Sequence, residues 1–247
     1  MKRFFQAVLF DLGDTLMFSP DPWPPVFENA GRNLSFTLCD NRIKVDPESF
    51  HLDFLHQLDK YYTDRDRNLV ETTTLAVLQK LLKEKGHHDI PEYVLRKTLD
   101  EFYSVTQKNW KLEDDAVSTL LSLKETGLHL GLLSNAGDDN DVQQQVKNFG
   151  IEHFFDFIVT SASCGYRKPH PRIFSEALDR WGYLPDEIAM VGDRLDADIG
   201  GARPLGIYTI WNKRRAKQLL SPTYTPDAVV ETLSEIPHLI SILSQKK

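Results

Sequence analysis

Asp11, Gly13, Asp14 and Thr15 gather two carboxylates, a hydroxyl and a glycine in the stretch Phe10-Asp11-Leu12-Gly13-Asp14-Thr15. A carboxylate is a hard oxygen ligand for Mg²⁺. Relieved of charge repulsion, it is also a nucleophile toward phosphorus. Ser134 and Asn135 follow an apolar run. Such a pair can donate to an anionic oxygen or cap a helix. Lys168 lies in Gly165-Tyr166-Arg167-Lys168-Pro169, where a cation is either solvated or turned toward developing negative charge. Asp193 and Asp198, in the run after Gly192, can ligate a cation or stabilise a helix start. Arg65, in Tyr61-Tyr62-Thr63-Asp64-Arg65-Asp66-Arg67, has the planar fork that suits phosphate or carboxylate. The competing expectation there, and the favoured one, is a solvated loop joining two helices and laced with salt bridges.

These residues need elements to bring them together. The run 6–10 is short, apolar and rich in strand formers, which predicts a buried strand ending at Asp11. Strands are likewise expected at 129–134, 157–159, 188–192, 207–211 and 228–230. Between them, Val117, Leu120, Leu121 and Lys124 outline a helix ending near Gly127, and a second helix over 141–149 ends at Gly150. A third starts at Pro171 and ends at Gly182, and a fourth covers roughly 196–205. Alternation of this kind gives a parallel sheet with right-handed crossovers and helices on both faces. Asp11, Ser134, Lys168 and Asp193 would then converge at the carboxyl ends of the strands, where open α/β sheets bind ligands.

One part of the chain does not alternate. Pro20, Pro22, Pro24 and Pro25 predict a stiff linker after the first strand. From about 26 to 110 only helical periodicity follows. It is carried by Phe50, Phe54, Leu55 and Leu58, then Leu75, Leu78, Leu81 and Leu82, then Val94, Leu95, Leu99 and Phe102.

The order Asp11, Ser134, Lys168 and Gly192-Asp193 with Asp198 resembles the haloacid dehalogenase-like (HAD) hydrolase superfamily. The resemblance implies a Rossmann-like α/β core over 1–18 and 111–247, with an all-helical cap over 19–110 that closes on the active site. It implies hydrolysis of a small phosphorylated metabolite through an aspartyl-phosphate on Asp11. It further implies Mg²⁺ held by Asp11, the Gly13 carbonyl and Asp193, with Asp198 acting through water. Ser134 and the Asn135 N–H would hold the phosphoryl group, Lys168 would balance its charge, and Thr15 would orient Asp11.

The chain departs from the family pattern at Gly13, where family phosphatases carry an aspartate that serves the leaving group as general acid and base. Asp14 stands where glycine is usual. An acid of this kind is worth about 10²–10⁴-fold in rate. Three outcomes are open: Asp14 takes over the role, the substrate has a good leaving group, or the protein chiefly binds a phosphorylated ligand. A metal-independent 2-haloacid dehalogenase also works without this acid, but the pair Asp193 and Asp198 argues against it. A phosphonate-cleaving branch lacks the acid too and relies on a cap lysine, for which no residue stands out here.

Composition sets the outer limits. The 247 residues suffice for one large domain or two unequal ones. A net charge of −7 and pI near 5.6 argue against a nucleic-acid partner. The cluster Lys213-Arg214-Arg215 with Lys217 reads as a solvated helix face. The apolar run near the amino terminus is too short for a signal peptide, and no stretch approaches the ~20 residues of a membrane span. Cys39 and Cys164, far apart, are expected to be the reduced thiols of a cytoplasmic monomer or homodimer.

Overall fold

The computed structural model describes residues 4–217 and 223–244. Strand β1 is Ala7–Phe10, and β2, Met17–Phe18, follows the Asp11–Thr15 turn. Four helices come next: α1 (Trp23–Asp40), α2 (Pro47–Asn68), α3 (Thr74–Glu84) and α4 (Glu92–Thr106). The chain returns through β3 (Lys111–Leu112), α5 (Ala116–Glu125), β4 (His129–Ser134), α6 (Asp139–Asn148) and β5 (Phe157–Thr160). Then come the single turn α7 (Ser161–Cys164), α8 (Pro171–Trp181), β6 (Ile188–Gly192), the short α9 (Gly200–Ala202), β7 (Tyr208–Asn212), β8 (Ala228–Val230) and α10 (Ile236–Ser244).

Six strands form one parallel sheet in the order β5-β4-β1-β6-β7-β8. The first motif therefore lies on a central strand, flanked by the strands that end at Ser134 and Gly192. Side chains alternate along it. Val8 and Phe10 enter the core shared with α5, α6 and α10. Ala7 and Leu9 enter the core on the other face, with Ile173, Phe174 and Ala177 of α8. The sheet is thus buried on both faces, which is why its strands read as continuous apolar runs.

Helices α1–α4 pack around a separate core that includes Leu34, Leu38, Phe54, Leu78, Leu99 and Phe102. The short antiparallel pair β2–β3 joins the chain where it leaves for these helices and where it returns.

Several expectations need correction. The proline run is not a linker throughout, because α1 begins at Trp23 with Pro24 and Pro25 in its first turn. The first N–H groups of a helix have no intrahelical acceptor, so prolines there cost nothing. The segment 61–67 is not a loop but the last two turns of α2. On α5 the buried face carries Ala116, Thr119, Leu120 and Leu123, while Val117 and Leu121 are exposed. The helix expected over 196–205 is broken: a π-helical turn, Leu195–Ile199, runs into α9 and then a 3₁₀ turn. The basic cluster after β7 lies on no helix; Arg214 and Arg215 pair with Glu113, Asp114 and Asp115. Cys39 and Cys164 are unpaired, and among the described residues no helix is long and apolar enough to cross a membrane.

Candidate active site

Asp11 sits where β1 ends, and its N–H donates to the Val191 carbonyl of β6 at 2.9 Å. The turn that follows is closed by the N–H groups of Thr15, Leu16 and Met17, all donating to the Leu12 carbonyl. Asp14 occupies the left-handed region at φ 58°. Such a position favours glycine, and a short polar residue tolerates it. Gly13 has an ordinary φ, and a Cβ built there would lie 3.4 Å from Cη2 of Trp110. The indole of Trp110 therefore covers the side of the loop on which an acid at 13 would emerge.

Lys168 is fully buried, and its ammonium group is saturated. It donates to Asp11 Oδ1 at 2.6 Å and the Leu133 carbonyl at 2.7 Å, and lies 2.7 Å from Asp198 Oδ1. Burial pulls its pKa down, but the Asp11 and Asp198 carboxylates outweigh that and hold it above the usual lysine value. Asn135 acts on this lysine through the backbone. Its side chain accepts from the Lys168 N–H at 2.7 Å and donates to the Lys168 carbonyl at 2.9 Å. Among the described residues the buried Ser134 hydroxyl makes no protein hydrogen bond, which leaves it available to a ligand.

Asp193 and Asp198 complete the site from β6 and the π-helical turn. One oxygen each from Asp11, Asp193 and Asp198 lies within 4.8 Å of the others. Burial and then the Asp11 and Asp198 charges push the Asp193 carboxyl up. Lys168 alone leaves negative charge uncompensated, so the donor set fits a hard divalent cation. Asp198 is the most committed of the three, since its Oδ2 also accepts from the Arg194 N–H at 3.0 Å. It packs so close to Gly192 that a Cβ there would stand 2.2 Å from Asp198 Oδ2. Trp211 Nε1 braces the same loop by donating to the Asp193 carbonyl at 2.7 Å.

These groups line one cavity of about 230 Å³, together with Arg65, Trp110, Asp141 and Arg167. A second cavity of about 260 Å³ shares Arg65, Trp110, Asn135 and Asp141 with it and adds Trp23, Phe27, Tyr62 and Phe102. Arg65 stacks its guanidinium over Tyr62, 4.2 Å from the ring centroid. One expectation fails at this level. The Thr15 hydroxyl is buried and makes no hydrogen bond, so it does not orient Asp11. The Asp14 carboxylate accepts from exposed Lys217 at 3.1 Å.

Sequence reasoning missed Trp110, Asp141 and Arg167. The last is bound to Glu71, and both side chains are almost wholly buried. Glu71 also accepts from Tyr61 and Ser161. No local pattern marks these residues, because each partner is remote in sequence.

The fold and site define an α/β protein with a carboxylate, lysine and hydroxyl cluster at its strand ends. Residues 47–212 match the family described as haloacid dehalogenase-like hydrolases, and the chain belongs to that family. It is 30% identical over 224 residues to a glyceraldehyde 3-phosphate phosphatase of Methanopyrus kandleri, covering 90% of each chain. Two solved structures share the fold. A HAD phosphatase from Thermococcus onnurineus has a TM-score of 0.65 and 23% identity, over 96% of this chain and 98% of that one. A 2-haloacid dehalogenase from Pseudomonas syringae pv. Tomato has a TM-score of 0.68 and 23% identity, over 97% and 99%.

Proposed function

We propose that the protein is an Mg²⁺-dependent phosphatase of small phosphorylated metabolites, with Asp11 as nucleophile. The observation that carries this reading is the triad Asp11, Asp193 and Asp198 with uncompensated charge, beside an unengaged Ser134 hydroxyl. A dehalogenase attacking carbon has no use for three converging carboxylates. The activity of the Methanopyrus kandleri relative supports the same choice. We further infer that 19–110 acts as a cap over a core formed by 1–18 and 111–247, because α1–α4 wall the cavity with Arg65, Trp23 and Phe27.

Bound through the Asp11 and Asp193 carboxylates and the Gly13 carbonyl, Mg²⁺ would supply charge neutralisation between the nucleophile and the phosphoryl oxygens. Lys168 holds the Asp11 carboxylate in place through its 2.6 Å hydrogen bond. The Asp11 carboxylate attacks phosphorus to form an acyl phosphate, and water then cleaves it. Ser134 donates its hydroxyl to a phosphoryl oxygen, and Asn135 fixes the Lys168 backbone. Arg65 contacts the part of the substrate that departs.

The test is turnover of glyceraldehyde 3-phosphate, phosphoserine, aryl phosphates and 2-haloacids, each with Mg²⁺ or chelator. Phosphate release lost on chelation is expected. Halide release indifferent to chelator would overturn the reading.

A further inference from the structure

A phosphatase of alkyl esters needs a proton for its departing alkoxide, and position 13 offers none. The carboxylates that line the cavity divide clearly. Asp11, Asp193 and Asp198 form the charged triad, and Asp14 is engaged by Lys217. That leaves Asp141, in the first turn of α6, which lines both the nucleophile's cavity and the adjoining aromatic one. Its Oδ1 accepts from Gln107 Nε2 at 2.8 Å, while Oδ2 has no protein partner among the described residues. Its backbone N–H donates to Asp138 at 3.1 Å, which fixes the helix turn that carries it.

We propose that Asp141, presented across the cavity from α6, is the general acid that protonates the leaving group in place of the side chain missing at Gly13. This rests on the phosphatase reading. As the Asp11 oxygen–phosphorus bond forms and the phosphorus–ester oxygen bond breaks, the Asp141 proton passes to the ester oxygen, and the alcohol leaves. The Asp141 carboxylate then takes a proton from the water that attacks phosphorus. Phosphate departs, the Asp11 carboxylate is restored, and Asp141 is protonated again.

The surroundings suit the role. Burial pushes the Asp141 carboxyl up to about 7; the Asp138 carboxylate adds to this, and the Gln107 hydrogen bond and Arg96 oppose it. Tyr103 of α4 and Tyr62 of α2 feel the Asp141 charge, and Arg65 lines the same cavities. An acid that titrates near neutrality is matched to proton transfer at physiological pH.

The experiment compares wild-type protein and Asp141→Asn on an alkyl phosphate and an aryl phosphate, with Mg²⁺. Asn keeps the shape and removes the proton. An alkoxide needs protonation and a phenolate does not. The variant should therefore lose about 10²-fold or more in the single-turnover rate of alkyl ester cleavage, while the first-turnover release of the phenol from the aryl ester stays near wild type. A retained first-turnover release of phenol also shows that the variant is folded. Equal loss on both substrates, no loss on either, or a change in KM alone overturns the assignment.

Gln107→Ala gives a second reading. Removing that donor raises the Asp141 pKa, so the descending limb of the alkyl pH–rate profile should move to higher pH. An unmoved limb overturns the assignment. Wild-type protein that hydrolyses neither ester overturns the phosphatase reading itself, and this assignment with it.

Discussion

Lys168 and Asp14 show how a single residue's surroundings decide its role. A lysine in a turn is ordinarily solvated, but Lys168 is enclosed by Asp11, Asp198 and the Leu133 carbonyl. Its charge is held where phosphoryl charge would develop. Asp14 is the opposite case. It resembles a displaced general acid, but its left-handed backbone directs the carboxylate toward solvent-exposed Lys217. Asp14→Asn is therefore expected to cost alkyl phosphate turnover far less than the ~10²-fold minimum of a lost general acid. A loss of that size, measured as kcat on an alkyl ester with the aryl ester as control, would return the acid role to Asp14. The four-motif order could be read because each motif is local: apolar strands that stop at Asp11, Ser134 and Gly192-Asp193, and a lysine in a turn before a helix. Asp141 could not, since an aspartate in the first turn of a helix looks like ordinary dipole stabilisation. Only the folded cavity wall sets it apart.

At the scale of elements, strands were more legible than helices. The parallel strands are buried on both faces, so their apolar runs stand out, and β4, β5, β6 and β8 fall where alternation of the chain puts them. Helix α1 was hidden by Pro24 and Pro25, which occupy the one turn where proline is harmless. The break in the helix after Asp193 follows from tertiary demand. Asp198 must pack on Gly192 and reach Lys168, and a π-helical turn delivers it. The link between α2 and α3 is the least local feature of all. The Arg167 N–H donates to the Leu69 carbonyl at 2.9 Å and the Glu71 N–H to the Gly165 carbonyl at 3.0 Å, so this link lies along the Lys168 loop. Glu71 closes the contact with its buried bonds to Arg167, Ser161 and Tyr61. Glu71→Ala would remove the buried carboxylate that pairs with the Arg167 charge. It should destabilise the protein by about 3–5 kcal/mol. Denaturant unfolding measures this, and a loss below about 1 kcal/mol, the level of a surface pair, would contradict it.

The whole molecule is two hydrophobic bodies meeting over one charged cleft. The α1–α4 core and the two cores of the sheet are separate, and between them lie Asp11, Arg65, Trp110 and Asp141 around the same space. The sheet brings the groups that would handle the phosphoryl group. The helices bring the aromatic rings and Arg65 that would meet the rest of the substrate. The run of helices between the first two core strands was legible, but the pocket was not, because Trp23, Tyr62 and Trp110 are far apart in the chain and meet only when α1, α2 and the segment before β3 pack. Everything proposed for the cleft depends on Asp11 becoming covalently bound to phosphorus. The most direct measurement is borohydride reduction during turnover of a phosphate ester with Mg²⁺, followed by peptide mass analysis. An acyl phosphate on Asp11 would be reduced, so homoserine should be found at position 11, only when substrate and metal are both present. Steady phosphate release with Asp11 unmodified, or homoserine at another carboxylate, would contradict the account.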